Sequence, residues 1–160
     1  MRLMGITIPF VREMPFAYGE AAPVSPLVRR VVARNPSLFT LYGTTAYLVG
    51  SGRVMVIDPG PASREHQAAL RRALGHDTVT HILVTHRHLD HCAAATTLAH
   101  ETGAILAAGA PGTAMPVPEG HDHEEGVDEQ LLPDVVLRKG EHLAGADWLL
   151  EVVPTPGHTS

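Results

Sequence analysis

With a single cysteine, Cys92, in 160 residues, the chain has no internal disulfide framework and no cysteine knuckle for zinc. Any metal must be held through His, Asp or Glu. Long apolar runs are missing too: no stretch approaches the roughly 18 consecutive apolar residues of a membrane span, so no membrane partner is expected. The opening residues Met1 to Met14 include Arg2, Arg12 and Glu13 but neither an apolar core nor a small-residue cleavage site. No secretory signal is expected there, which favours the cytoplasm. There is no Gly-x-Ser-x-Gly elbow and no phosphate-cradling glycine loop, which sets aside serine-nucleophile and P-loop chemistry. Positive charge is not in excess either. The formal net charge is −5, which offers no long-range attraction to a polyanion, so nucleic acid is a partner not excluded but less favoured than a small-molecule substrate.

What the chain does have is histidine, 11 in all, three of them crowded into one short segment and a fourth in a turn near the C-terminus. Its length suits one domain, burying about two thirds of the unfolded surface. Residues 1–34 are rich in proline and small residues, with a short basic helix expected at Pro26 to Ala33, and read as an N-terminal leader packed on a domain that spans 35–160. Apolar runs predict three antiparallel strands at Leu38 to Tyr42, Thr45 to Val49 and Arg53 to Ile57, the last two joined by a Gly50-Ser51-Gly52 turn. Helical spacing of Ala69, Leu70, Ala73 and Leu74 predicts a helix from Ser63, its N-cap, to Leu74, with Gly75 as the stop. The run His81 to Thr85 reads as a buried strand. A second helix from Ala93 to Glu101 ends at Gly103, and a strand follows at Ala104 to Ala108. Strands are also expected near Val135 to Arg138 and Trp148 to Val153.

The chemistry is concentrated at the exit of the His81 to Thr85 strand, where His86-Arg87-His88-Leu89-Asp90-His91 places four metal-competent side chains in six residues. Strand exits are where α/β sheets present their sites. Alternation along an extended turn puts His86 and His88 on one side, leaving Asp90 and His91 to face a second ion as the chain enters a helix. Two imidazoles need a third protein ligand if a coordination position is to stay open for water. His158, in Thr155-Pro156-Gly157-His158-Thr159, is the natural supplier. By contrast, His121-Asp122-His123-Glu124-Glu125 lies in a proline- and glycine-rich loop over 109–130 and reads as a hydrated charged stretch, with lining of the substrate entrance as its alternative role. His66, His76, His81, His100 and His142 read as surface or capping residues, and Cys92 as a small buried hydrophobe rather than a nucleophile.

The segment His86 to His91 resembles the HxHxDH signature of the metallo-β-lactamase superfamily, Pro156 to Thr159 its later PGHT motif, and Asp58 in Val56-Ile57-Asp58-Pro59-Gly60 its upstream aspartate. The resemblance implies an α/β fold, the first half and the start of the second half of a four-layer αββα sandwich. It implies one metal on His86, His88 and His158, a second site begun by Asp90 and His91, and Asp58 orienting the signature loop from behind the ligands. The expected cofactor is zinc, as one or two ions, with iron or manganese as alternatives at the second site. The family's bridging aspartate and last histidine would fall beyond Ser160, so the 160-residue chain alone is expected to be inactive and, with a sheet face uncovered, prone to form a homo-oligomer.

Metal-assisted hydrolysis follows, with Asp90 as the catalytic residue that orients water or shuttles its proton. Having both Asp90 and His91, the signature is more similar to the glyoxalase II, lactonase and ribonuclease branches than to antibiotic-degrading ones. The stretch Asn35-Pro36-Ser37-Leu38-Phe39-Thr40-Leu41, with Gly43-Thr44 and Tyr47-Leu48-Val49-Gly50 after it, resembles the lactamase-beta-like endoribonucleases. A hydrolase of thioester, ester or lactone bonds ranks first, a metal-dependent ribonuclease second, and a non-catalytic metal-binding module third.

Overall fold

The computed structural model describes residues 14–109 and 126–158. Seven strands, β1 (Ala22–Ser25), β2 (Val28–Val32), β3 (Thr45–Val49), β4 (Arg53–Ile57), β5 (Thr78–Val84), β6 (Ile105–Gly109) and β7 (Val135–Leu137), form one sheet whose spatial order follows the chain. β1 to β4 pair antiparallel and β4 to β7 parallel. Parallel neighbours need crossovers. Helix α1 (Arg64–Leu74) makes the first, and α2 (Leu89–Cys92) with α3 (Ala95–Thr102) makes the second. A hairpin of β8 (His142–Ala144) and β9 (Leu149–Glu151) lies apart from the sheet's ladder. Among the described residues no helix is long and apolar enough to cross a membrane.

Alternation along the strands divides the apolar residues between two faces. Leu48, Val54, Val56, Ile82, Val84 and Leu106 meet Ala69, Leu70 and Leu74 of α1 and Ala95 and Leu98 of α3. Full burial of each large side chain contributes about 1.5–3 kcal/mol, and this face is the main core. On the opposite face Val49 and Met55 pack with Trp148, against which Leu143 and Leu150 of the hairpin close. Helix α1 begins and ends where its sequence says: Ser63 Oγ accepts from the His66 amide, and Gly75 stops it at φ 56. Glu65 in the first turn and Arg71 and Arg72 in the last complement the helix dipole.

Two local expectations fail. The helix expected at Pro26 to Ala33 is β2 instead, because Val28, Val31 and Val32 are β-branched and Val28 to Val32 ladder residue by residue onto β3. The stretch that reads as a leader thus supplies two of the sheet's seven strands. The strand expected at Leu38 to Tyr42 is a run of turns. Ser37 Oγ accepts from the amides of both Phe39 and Thr40, and Leu41 sits at φ 54, so local side-chain bonding displaces the extended form. β2 takes the place of the third antiparallel strand.

Candidate metal centre

Asp58 closes β4 at φ 47, a left-handed conformation that aspartate tolerates better than most residues, with its carboxylate turned inward and 6% exposed. Oδ1 accepts from the Thr85 amide at 2.8 Å and Oδ2 from the Thr85 hydroxyl at 2.6 Å. The ends of β4 and β5 are thereby tied together. Oδ2 also lies 2.9 Å from His91 Nδ1. A carboxylate only accepts, so Nδ1 carries a His91 proton.

The same bookkeeping of protons reaches His86. Thr85 has one hydroxyl proton, given to Asp58, so its oxygen accepts from His86 Nδ1 at 2.9 Å and His86 Nε2 is left as a bare acceptor. That nitrogen is buried with no hydrogen-bond partner among the described residues. Burial, then the adjacent His91 imidazole, push the His86 pKa down to about 4, so at neutral pH the ring is unprotonated, the form a metal requires. His88 caps the start of α2, and its ring centroid lies 4.8 Å from that of His86. His158 arrives from the turn after β9, its ring 5.1 Å from His86 and 4.9 Å from His88. One ligand atom from each of the three falls within 4.8 Å of the others.

Asp90, in the first turn of α2 and 7% exposed, accepts from the Thr44 hydroxyl at 2.6 Å through Oδ2, which also lies 3.3 Å from His91 Nε2. Its Oδ1 is buried without a partner among the described residues. Leaving a buried acceptor unsatisfied costs about 1–3 kcal/mol, and two such acceptors in one cluster of imidazole and carboxylate groups fit a divalent cation of the zinc type. Asp58, His86 and His91 form a second group with ligand atoms within 4.8 Å, but both Asp58 oxygens already accept from Thr85 and His91.

The surrounding backbone holds the cluster in place. The Gly60 amide donates to the His91 carbonyl, and the Ala94 amide donates to the Gly60 carbonyl. Gly60, at φ 86, faces His66, whose Nε2 would lie 2.6 Å from any Cβ added there. His66 is therefore not a surface residue: it is 2% exposed, sealed on the inward side of α1 beneath the loop that follows Asp58. The last residues of the 109–130 loop are stitched to the signature, with Leu89 N donating to Gly126 O and Asp128 N to Arg87 O. His121 to Glu125 lie outside the described residues, as do Thr159 and Ser160. Cys92 is buried, and burial, then the nearby carboxylates, push its thiol up to about 11, so it stays protonated at neutral pH.

The structure brings Asp58, His86, His88, Asp90, His91 and His158 into one cluster. Sequence reasoning gave no site role to Thr44 and Thr85, the hydroxyls that bind the two carboxylates. Thr85 adjoins the signature and was within reach of a search for hydroxyls at the strand exit. Thr44 is 46 residues from its partner and carried no such signal.

Comparison with known proteins bears on family and fold. The model of the metallo-beta-lactamase superfamily matches residues 39–160. A beta-lactamase-like protein 2 homolog of Caenorhabditis elegans is 31% identical over 142 residues, covering 86% of this chain and 44% of its own. An atrochrysone carboxyl ACP thioesterase of Cryptosporiopsis sp. is 39% identical over 71 residues, 42% of this chain and 22% of its own. The crystal structure of a subclass B3 metallo-beta-lactamase of Bradyrhizobium japonicum superposes with a TM-score of 0.62 at 23% identity, over 89% of this chain and 54% of that one. That last likeness concerns the fold. The chain spans less than half the length of either of these two curated relatives.

Proposed function

The chain belongs to the metallo-beta-lactamase superfamily, and on that premise we propose that it is a metal-dependent hydrolase of a thioester, ester or lactone in a small molecule. The observation that carries the reading is the convergence of His86, His88 and His158 on one point, with His86 Nε2 buried and unpartnered beside it. These three imidazoles would hold the first zinc ion. Asp90 and His91 would contribute to a second, while Asp58 fixes the His91 ring through Nδ1 and the His86 ring through Thr85. A bound divalent ion supplies a lowered water pKa and polarisation of the scissile carbonyl. Asp90, with Oδ2 occupied by Thr44, presents Oδ1 to orient the attacking water and receive its proton. Among carbonyl substrates the thioester comes first, since a relative sharing 39% identity over this region is named a thioesterase.

Zinc-loaded, full-length protein given an acyl thioester, a lactone and single-stranded RNA tests the reading. Thioester hydrolysis that stops on chelation is expected. Asp90→Asn should lower kcat roughly 10²- to 10⁴-fold, the range a positioned proton-transfer group supplies, while the first ion stays bound. RNA cleavage without thioester turnover would replace the carbonyl reading with a ribonuclease, and failure on every substrate would leave a metal-binding module.

A further inference from the structure

Asp90 is held by a chain of side chains that no signature motif contains. Thr44, 5% exposed, places its hydroxyl 2.6 Å from Asp90 Oδ2. Asn35 Nδ2 lies 3.2 Å from the same hydroxyl oxygen, and Asn35 Oδ1 accepts from the Thr44 amide at 2.9 Å. The second bond fixes the orientation of the Asn35 amide, because only its oxygen can accept from a backbone N–H. Its NH₂ must then donate to Thr44 Oγ1, and the single Thr44 proton is directed at Asp90. The relay runs one way, Asn35 to Thr44 to Asp90.

Its base is built for this. The Thr40 hydroxyl donates to the Asn35 carbonyl at 2.6 Å, and the Ala33 amide donates to the Thr44 carbonyl. Gly43 stands at φ 131, where an added Cβ would meet the Ala33 carbonyl oxygen at 2.1 Å and Asn35 Oδ1 at 3.1 Å. Turns 37–42 thus leave the sheet and return Thr44 to a spot beneath α2.

We propose that Thr44 and Asn35 are positioning residues for Asp90: by occupying Oδ2 they leave Oδ1 as the oxygen turned toward the second ion and its water. The inference rests on the role assigned to Asp90 above and adds the residues that set its rotamer. Without that bond the carboxylate would be free to rotate and exchange its two oxygens. The hydroxyl removes that freedom before any ion binds, and preorganised support of this kind is typically worth 10- to 100-fold in metal affinity.

The test is zinc titration of the full-length protein against a chelating indicator, with kcat and KM for a thioester measured alongside. Thr44→Val keeps the shape and deletes the donor. It should weaken the second zinc by about 10- to 100-fold, leave the first unchanged, and lower kcat rather than raise KM. Thr44→Ser, which keeps the hydroxyl, should restore both, and Asn35→Leu should give a smaller loss in the same direction. Second-site affinity in Thr44→Val equal to wild type, or no rescue by serine, overturns the inference and leaves the role of Asp90 standing. A wild-type protein that takes up only one ion instead removes the two-ion reading, and the inference falls with it.

Discussion

The exits of β4 and β5 lie side by side and both carry ionisable residues, yet they end in opposite states. At the β4 exit every oxygen of Asp58 accepts from a protein donor: the Thr85 amide, the Thr85 hydroxyl or His91 Nδ1. At the β5 exit His86 Nε2 and Asp90 Oδ1 are buried acceptors with no partner among the described residues. Burial alone does not distinguish the two aspartates, at 6% and 7% exposed. Completeness of hydrogen bonding does, and it is the ground on which Asp58 is proposed as support and His86 and Asp90 as ligands.

That contrast is tested most severely by removing the ligand side. His86→Ala combined with His88→Ala deletes two of three imidazoles and should abolish zinc retention on dialysis while the helix-covered core stays folded. Metal analysis beside circular dichroism checks it, and equal zinc in mutant and wild type would erase the distinction between the two exits.

Removing the support side should do less to the metal and more to the fold. Asp58→Ala leaves the Thr85 amide without its acceptor inside the protein, a cost of about 1–3 kcal/mol, and frees the rings of His86 and His91. Zinc affinity should fall by about 10- to 100-fold, with a lower thermal midpoint even without metal. Unchanged stability in the metal-free protein would mean that Asp58 is itself a ligand.

The smallest effect concerns protons. His86 titrates near 4 when folded and at the ordinary 6.5 when unfolded, so between these values the unfolded chain binds more protons. Its contribution to stability is complete above pH 6.5 and is lost as the pH falls toward 4. Burial lowers the His66 and His81 values in the same direction, so the informative quantity is a difference: the metal-free thermal midpoint should drop less between pH 7.5 and pH 5 in His86→Gln than in wild type. Identical slopes would show that His86 is no more confined than a surface histidine.

Several elements were legible because their causes are local. Ser63, the apolar spacing of α1 and Gly75 delimit the helix through contacts within a few residues, and the apolar run of β5 announces a buried strand. The ligand types and their place at a strand exit were equally plain in His86 to His91. Turn formation at Leu38 to Tyr42 was hidden, although Ser37 lies next to it, because the strand pattern of apolar residues outranked one hydroxyl. β2 was misread because its basic residues suggested a helix, while its pairing with β3 involves residues a loop away.

The sequence by itself determined the chemistry on offer: imidazole and carboxylate donors, with a single cysteine beside them. Tertiary structure decided which donor atoms remain available, because that depends on protons passed between residues distant in the chain. Asp58 reaches Thr85 across 27 positions, Thr44 reaches Asp90 across 46, and His158 joins His86 only when the hairpin has folded over the sheet. A hydrogen bond is directional and short, so no spacing pattern can report it until the fold has brought donor and acceptor within 3 Å or so.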